Sequence, residues 1–282
     1  MNIALIILAA GKGTRMQSEL PKVLHEVAGA PMLVHAMRAG RALDPKRTII
    51  IAGHGFEAVS AAARAEDPEV EVVRQEAQLG TGHAVDQARA ALSDFDGTVI
   101  VLYGDCPLIQ SRTLEELSAT LSDSAVSVLG FEAKDPARYG RLITDGDKLK
   151  RIVEFKDASP AERAVSLCNS GVMAASAGLL FDLLSEIDAN NASGELYLTD
   201  VIGKAVARGL PCTAVRCAER ETLGVNSRVE LMQAEKEFQN LRRTEALEDG
   251  VTMPAPETVH FSYDTVIGRD TIIEQNVVFG PG

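Results

Sequence analysis

Residues 6–16 read IILAAGKGTRM, an apolar run that ends in two alanines and then crowds glycine and cations into five positions. Alanine and glycine leave backbone N–H groups open to a ligand, and Lys12, Arg15 and the later Lys22 in LPKVL add positive charge. That combination suits a phosphate. A P-loop would need glycine five positions ahead of a Gly-Lys-Ser/Thr ending, and the dinucleotide fingerprint would need glycine where Met16 stands. Neither fits. Taken alone, the stretch is also that of a tight strand-to-helix turn with solvated cations.

Asp105 follows another apolar run in LYGDCPLI, and Asn226 lies in GVNSR. An aspartate after a strand is commonly a turn or cap residue, and it is also a place for a metal ligand. The five histidines (25, 35, 54, 83 and 260) are scattered without ligand-spaced partners, and no Ser-His-Asp or Cys-His arrangement stands out. Cys106, Cys168, Cys212 and Cys217 form no C-x-x-C pair, so reduced thiols in a cytoplasmic protein are expected.

The elements that must hold these residues alternate. Strands are expected at 2–8, 48–52, 70–74, 98–103, 125–131, 166–174 and 212–216. Helices are expected at 31–43, 55–66, 81–93, 111–121, 176–188 and 197–208, with Ser111 and Ser176 as N-terminal signals. Such alternation implies an α/β fold with a mostly parallel sheet, whose ligands sit beyond the carboxyl ends of the strands. Residues 226–248 read as one long helix with Leu231, Ala234, Phe238 and Leu241 on its apolar face. Beyond Gly250, Val266, Ile272 and Val278 recur every six residues, as do Ile267, Ile273 and Phe279. That is the hexapeptide period of a β-helix, with fewer than three turns.

With 282 residues and 46% hydrophobic content the chain can bury a sizeable core. No apolar stretch reaches the roughly 18–20 residues of a membrane span. A formal net charge of −12 argues against a broad nucleic-acid footprint, and any phosphate site must be small and local.

In order along the chain, LAAGKGTRM, LPKVL, QLGTGHA, LYGDCPLI, RYGRLI, IVEFKDA, NSGVM, GELYLTD and GVNSR together resemble the sugar-phosphate nucleotidylyltransferases. The resemblance is to the bacterial N-acetylglucosamine-1-phosphate uridylyltransferases, which form the N-terminal half of a bifunctional enzyme whose other half is a left-handed β-helix acetyltransferase. It implies a Rossmann-like nucleotidylyltransferase domain over 1–225, a linking helix over 226–249 and a short left-handed β-helix stub over 250–282. The activity implied is transfer of UMP from UTP to N-acetylglucosamine-1-phosphate, giving UDP-N-acetylglucosamine, a cell-wall and lipopolysaccharide precursor, and pyrophosphate. Acetyl transfer is not expected from these residues, and a homotrimer is expected only where a full β-helix is present. Other sugar-1-phosphate nucleotidylyltransferases, or a non-catalytic nucleotide-sugar binding module, are the competing expectations.

The resemblance also implies roles. Leu8, Ala9, Ala10 and Gly11 would form the nucleotide-binding turn, with Arg15 and Lys22 on the triphosphate and the transition state. Gln75, Gly80 and Thr81 would select the base, with Gln78 close by. Tyr103 and Gly104 would flank the substrate. Asp105 and Asn226 would hold Mg²⁺, which takes few protein ligands and leans on substrate phosphates. Gly140, Glu154, Asn169 and Asn226 would bind the sugar, and Tyr197 would line its pocket. Leu196 stands where relatives often carry a second tyrosine, and Cys106 at a variable position beside the metal aspartate.

Overall fold

The computed structural model describes residues 2–146 and 148–282, and these form eleven strands and eight α-helices. The chain opens with β1 (Ile3–Ala9), a small hairpin of β2 (Glu26–Val27) and β3 (Ala30–Pro31), and α1 (Met32–Arg41). It continues through β4 (Arg47–Ala52), α2 (Phe56–Glu66), β5 (Glu71–Arg74), α3 (Thr81–Asp86), β6 (Thr98–Tyr103), α4 (Ser111–Ala119) and β7 (Val126–Glu132). Next come β8 (Arg141–Asp145), β9 (Lys148–Val153), α5 (Pro160–Arg163), β10 (Leu167–Ser176), α6 (Ala177–Leu184) and α7 (Asp200–Ala207). The last elements are β11 (Cys212–Cys217) and α8 (Arg228–Glu248).

One nine-stranded sheet runs in the order β5-β4-β1-β6-β10-β7-β11-β9-β8. β1 pairs in parallel with β4 and β6, and β11 with β7, while β10 runs antiparallel between β6 and β7. Every residue of β1 is buried. Its alternate side chains enter different cores: Ala4, Ile6 and Leu8 on one face, Ile3, Leu5, Ile7 and Ala9 on the other. The first face is covered by Val85 of α3, Leu180 and Leu183 of α6, and Val201, Ile202 and Ala205 of α7. The second is covered by Leu33 and Met37 of α1, Val59 and Ala63 of α2, and Leu114 and Leu117 of α4. A strand with helices on both faces has no solvent side, which is why IALIILA is apolar throughout.

All seven strands expected from the sequence form. The β8–β9 hairpin adds an antiparallel extension that the expectation lacked, although Leu149 and Ile152 are buried among exposed Lys148, Lys150 and Arg151. The helix expected over 81–93 stops at Asp86, and the chain then runs in turns. Capping differs too. Gln110 rather than Ser111 is the N-cap of α4, and Ser176 caps α6 by position without a side-chain bond. The working caps are Ser159, in a reciprocal capping box with Glu162 on α5, and Ser227 on α8.

α8 buries Ala234 and Phe238 against Met16, Val27 and Met32. After it, the parallel bridges Thr252↔Ile272 and His260↔Val278 stack one coil on another. Ile273 is buried with Val251, Met253, Val259 and Phe261, and Ile267 and Phe279 pack against them. The other hexapeptide row points outward, with Val266, Ile272 and Val278 90%, 66% and 74% exposed.

Candidate active site

The carboxyl edge of the parallel strands carries a cavity of about 320 Å³. Leu8, Ala9, Ala10 and Gly11 form its floor, as β1 gives way to the loop. A side chain at Gly11 would meet nothing within 4 Å, so the backbone there is open to a ligand. Gly13 has a different task. It lies at φ +60°, and a Cβ there would come within 2.6 Å of the Lys22 Cβ. The glycine therefore lets the short 3-10 turn Lys22–Leu24 close against the loop.

Gly104 follows β6 and donates its N–H to the Leu8 carbonyl at 3.0 Å, which brings Asp105 beside the first loop. Gly104 itself packs behind the cavity against Leu33 and Val23. The Asp105 carbonyl accepts from the Val225 N–H at 2.9 Å, drawing in the segment that precedes α8. Lys22 Nζ then donates to Asp105 Oδ2 in a short ion pair and to Asn226 Oδ1 at 3.0 Å. The Lys22 and Asp105 side chains are only 11% and 15% exposed, so their attraction is screened less than that of a surface pair. Asn226 is set by the helix cap. Its N–H donates to Glu230 Oε2 at 2.7 Å, and Ser227 Oγ donates to the same oxygen while accepting from the Glu230 N–H.

Gln75, Gly80 and Thr81 line the same cavity. Gln75 is buried, with Nε2 2.9 Å from His83 Nδ1. Gln78 also lines the cavity and ties its Nε2 to the Ala10 carbonyl at 2.5 Å. Gly80 is at φ +119°, where a Cβ would lie 2.5 Å from the Leu196 carbonyl oxygen. Gly82 donates its N–H to that same oxygen at 2.8 Å. Residue 196 thus works here through its backbone, and a leucine serves as well as a tyrosine for that contact. Val23, Ala84 and Glu195 complete the lining and were not singled out from the sequence, although Glu195 lies inside the GELYLTD stretch.

Tyr103 joins this cavity to a second group. Its ring lies against Gly171 in the irregularity that interrupts the β10–β7 pairing, and it lines the cavity beside Thr81. Burial pushes its phenol far above the ordinary range, helped by the negative charges of Glu154 and Asp105. In the second group, the Asn169 N–H donates to the Gly140 carbonyl at 2.8 Å, and a Cβ on Gly140 would lie 3.4 Å from Glu154 Oε1. Asn169 Oδ1 accepts from the Gly171 N–H at 3.0 Å. Glu154 accepts from Thr199 Oγ1 at 3.1 Å. Burial raises its carboxyl pKa, Asp200 and Asp157 raise it further, and the Thr199 bond opposes them. Tyr197 is half-buried nearby, its phenol raised by burial while Ser193 opposes the shift.

Arg141 frames this group from behind. It is 1% exposed and has no carboxylate partner among the described residues; its guanidinium donates to the carbonyls of Ala137, Tyr139 and Arg163. Arg15 lies exposed on the turn Thr14–Met16, outside the cavity lining. Lys12 lines a neighbouring cleft with His54 and Arg74. Cys106 is buried, with its Sγ 3.7 Å from Asp105 Oδ1, and burial holds the thiol well above its usual pKa. Among the described residues no group of three or more His, Cys, Asp or Glu could hold a metal. A divalent ion would rest on the oxygen pair of Asp105 and Asn226. Both are hard donors that already converge on one cationic nitrogen, which suits Mg²⁺.

A mostly parallel sheet with a glycine turn after its first strand, and a carboxylate beside that turn at the end of the fourth parallel strand, makes a nucleotidyltransferase type of α/β domain. The chain belongs to the family described as MobA-like NTP transferase domain, which matches residues 5–179. It is 60% identical over 280 residues to "Bifunctional protein GlmU" of Roseobacter denitrificans, across 99% of this chain and 62% of that protein. It is 62% identical over 269 residues to the protein of the same name from Ruegeria pomeroyi, across 95% and 60%. The chain thus spans about 60% of the length of these relatives. The crystal structure of a UDP-glucose pyrophosphorylase complexed with UDP-glucose shares the fold with a TM-score of 0.69 and 17% identity, over 86% of this chain and 100% of that one. No helix among the described residues is long and apolar enough to cross a membrane.

Proposed function

We propose that this chain transfers UMP from UTP to N-acetylglucosamine-1-phosphate, releasing pyrophosphate and forming UDP-N-acetylglucosamine. The observation that carries the reading is the run of one site from the glycine turn through Asp105 to Tyr103 and on to Glu154. Such a run offers adjoining places for a nucleotide and a sugar phosphate. High identity to the GlmU proteins supports the choice of substrates.

The sugar phosphate needs no general base, because its second ionisation lies near pH ~6 and the dianion is already a nucleophile. Its oxygen attacks the α-phosphorus of UTP in line, and the bond to pyrophosphate breaks. What the chain supplies is alignment and neutralisation of the charge that spreads over the phosphate oxygens. The backbone of Leu8–Gly11 receives phosphate and ribose, and Lys22 and Arg15 supply positive charge. Gln75, Gly80 and Thr81 face the base, while Gly140, Glu154 and Asn169 hold the sugar hydroxyls and make room for the acetamido group. Asp105 and Asn226 would hold Mg²⁺, whose contribution would be to polarise the phosphoryl oxygens and orient the phosphates.

We read 1–225 as the transferase domain, 226–249 as the linking helix and 250–282 as the first coils of a β-helix. A cytoplasmic location accords with four free cysteines, and a trimer built through a full β-helix is part of the same reading. The test is pyrophosphate release with UTP and a panel of sugar-1-phosphates. N-acetylglucosamine-1-phosphate should give the highest kcat/KM. A clear preference for glucose-1-phosphate would replace the substrate, and no release with any pair would remove the enzymatic reading.

A further inference from the structure

The ammonium of Lys22 donates to both oxygens assigned above to a divalent ion, Asp105 Oδ2 and Asn226 Oδ1. We infer that Lys22 and the divalent cation are alternative occupants of this oxygen pair, so that metal binding ejects the lysine ammonium into the nucleotide cavity. The inference rests on the reading of Asp105 and Asn226 as the metal's protein ligands.

Three features carry it. First, the oxygens come from distant segments, yet both point at one nitrogen, and a second cation bound by both would have to stand where that nitrogen stands. Two cations sharing one partly buried carboxylate repel, and at 11% and 15% exposure water screens them poorly. Second, the backbone segments that carry the two oxygens are tied down. The Asp105 carbonyl is bonded to Val225, and Asn226 is held by the Ser227–Glu230 cap. Lys22 packs on Gly13 at its base, and its unbranched stem can carry the ammonium to a new partner once its bonds to Asp105 and Asn226 are released. Third, Lys22 already lines the cavity floored by the glycine turn. An ammonium released from Asp105 therefore stays in the chamber where phosphate oxygens would give it a new partner.

The exchange gives Lys22 two tasks. Before loading, it neutralises Asp105 and keeps the oxygen pair from collapsing. After loading, it is a phosphate ligand. Metal alone must displace a bonded cation and binds weakly. Metal with a triphosphate displaces the same cation but leaves it satisfied, so the two ligands bind with positive coupling.

The test uses Mn²⁺ alone as the probe, titrated by electron paramagnetic resonance against the full chain without nucleotide. Lys22→Met should bind Mn²⁺ roughly tenfold or more tightly than wild type, within the usual range of coupling between sites. Lys12→Met removes the same charge from the same loop without touching the oxygen pair and should bind as wild type does. Asp105→Asn should lose the site. Circular dichroism checks the fold of each variant, and Lys22→Gln replaces Lys22→Met should the latter unfold. Equal Mn²⁺ affinity in wild type and Lys22→Met, lost in Asp105→Asn, would overturn the exchange and leave the ligand assignment standing. An equal gain in Lys12→Met would reduce the effect to overall charge and also overturn it. Unchanged Mn²⁺ binding by Asp105→Asn would overturn the ligand assignment and the exchange together.

Discussion

Gly171 and Tyr103 are in contact so close that a Cβ on residue 171 would lie 2.5 Å from Cε2 of the tyrosine ring. The glycine sits at φ +91°, a backbone region that side chains rarely enter. Gly171→Ala therefore has to strain the backbone and displace the ring that connects the nucleotide cavity with Glu154. We expect a loss of about 1–3 kcal/mol in urea unfolding. A rise in KM for the sugar phosphate larger than that for UTP should accompany it. Wild-type stability in this variant would show that β10 relaxes around the new methyl.

Asp105→Asn keeps an oxygen that can accept from Lys22 and removes the charge. Turnover should fall roughly 100-fold or more, the scale of losing one electrostatic contact in a phosphoryl or acyl transfer site. Thermal unfolding should shift down modestly, because the partly buried Lys22 loses its counter-charge, while the fold is kept. Unaltered pyrophosphate release would take Asp105 out of the reaction.

Glu154 gives a pH signature. Its folded carboxyl pKa stands above the ordinary 4.5, chiefly through burial. Between the two values the folded protein keeps a proton that the unfolded chain has released, so stability falls as pH rises through that window. Above it the penalty is constant. Glu154→Gln keeps an oxygen for Thr199 and cannot ionise. Its urea midpoint should match wild type at low pH and rise relative to it as pH climbs from about 4 towards neutrality. A difference that stays flat across this range would mean that Glu154 is not perturbed by the fold.

Ser227→Ala removes the side-chain cap of α8, a loss of about 1 kcal/mol in stability. Because the same turn holds Asn226 through Glu230, turnover should drop as well. Full activity with the stability loss alone would separate the cap from the site.

Cys106 lies beside Asp105 with a thiol that burial keeps protonated. Alkylation by iodoacetamide near neutral pH should be slow in the native protein and fast in urea, read by mass spectrometry of the labelled peptide. Rapid native labelling would mean that this part of the site opens to solvent.

The centre of the sheet was legible because β1 and β6 are buried on both faces and therefore apolar almost end to end. The β8–β9 hairpin was less so, as Leu149 and Ile152 are three apart across an irregularity in the pairing, and the period-two signal breaks there. The glycine turn was readable from residue types alone. What lies far apart in sequence was not: Lys22 and Asn226 meet across 204 positions, and only the resemblance to known transferases had joined them. The roles of Glu230, which sets Asn226, and of Thr199, which binds Glu154, depend on side-chain direction and had no signal in spacing. Arg15 shows the converse, for a cation in the expected loop stands exposed on its outer turn.

The helix cap at Ser227 has a consequence for where a working fragment can be cut. The sheet is complete at Cys217, yet the second oxygen facing Lys22 is delivered by the entrance to α8 and steadied by a glutamate in that helix's first turn. A piece trimmed at the last strand would leave the lysine with half of its anchorage and would uncover Met16, Val27 and Met32, on which α8 packs. The smallest competent transferase therefore extends at least through Glu230, into a helix that by shape alone looks like a mere tether.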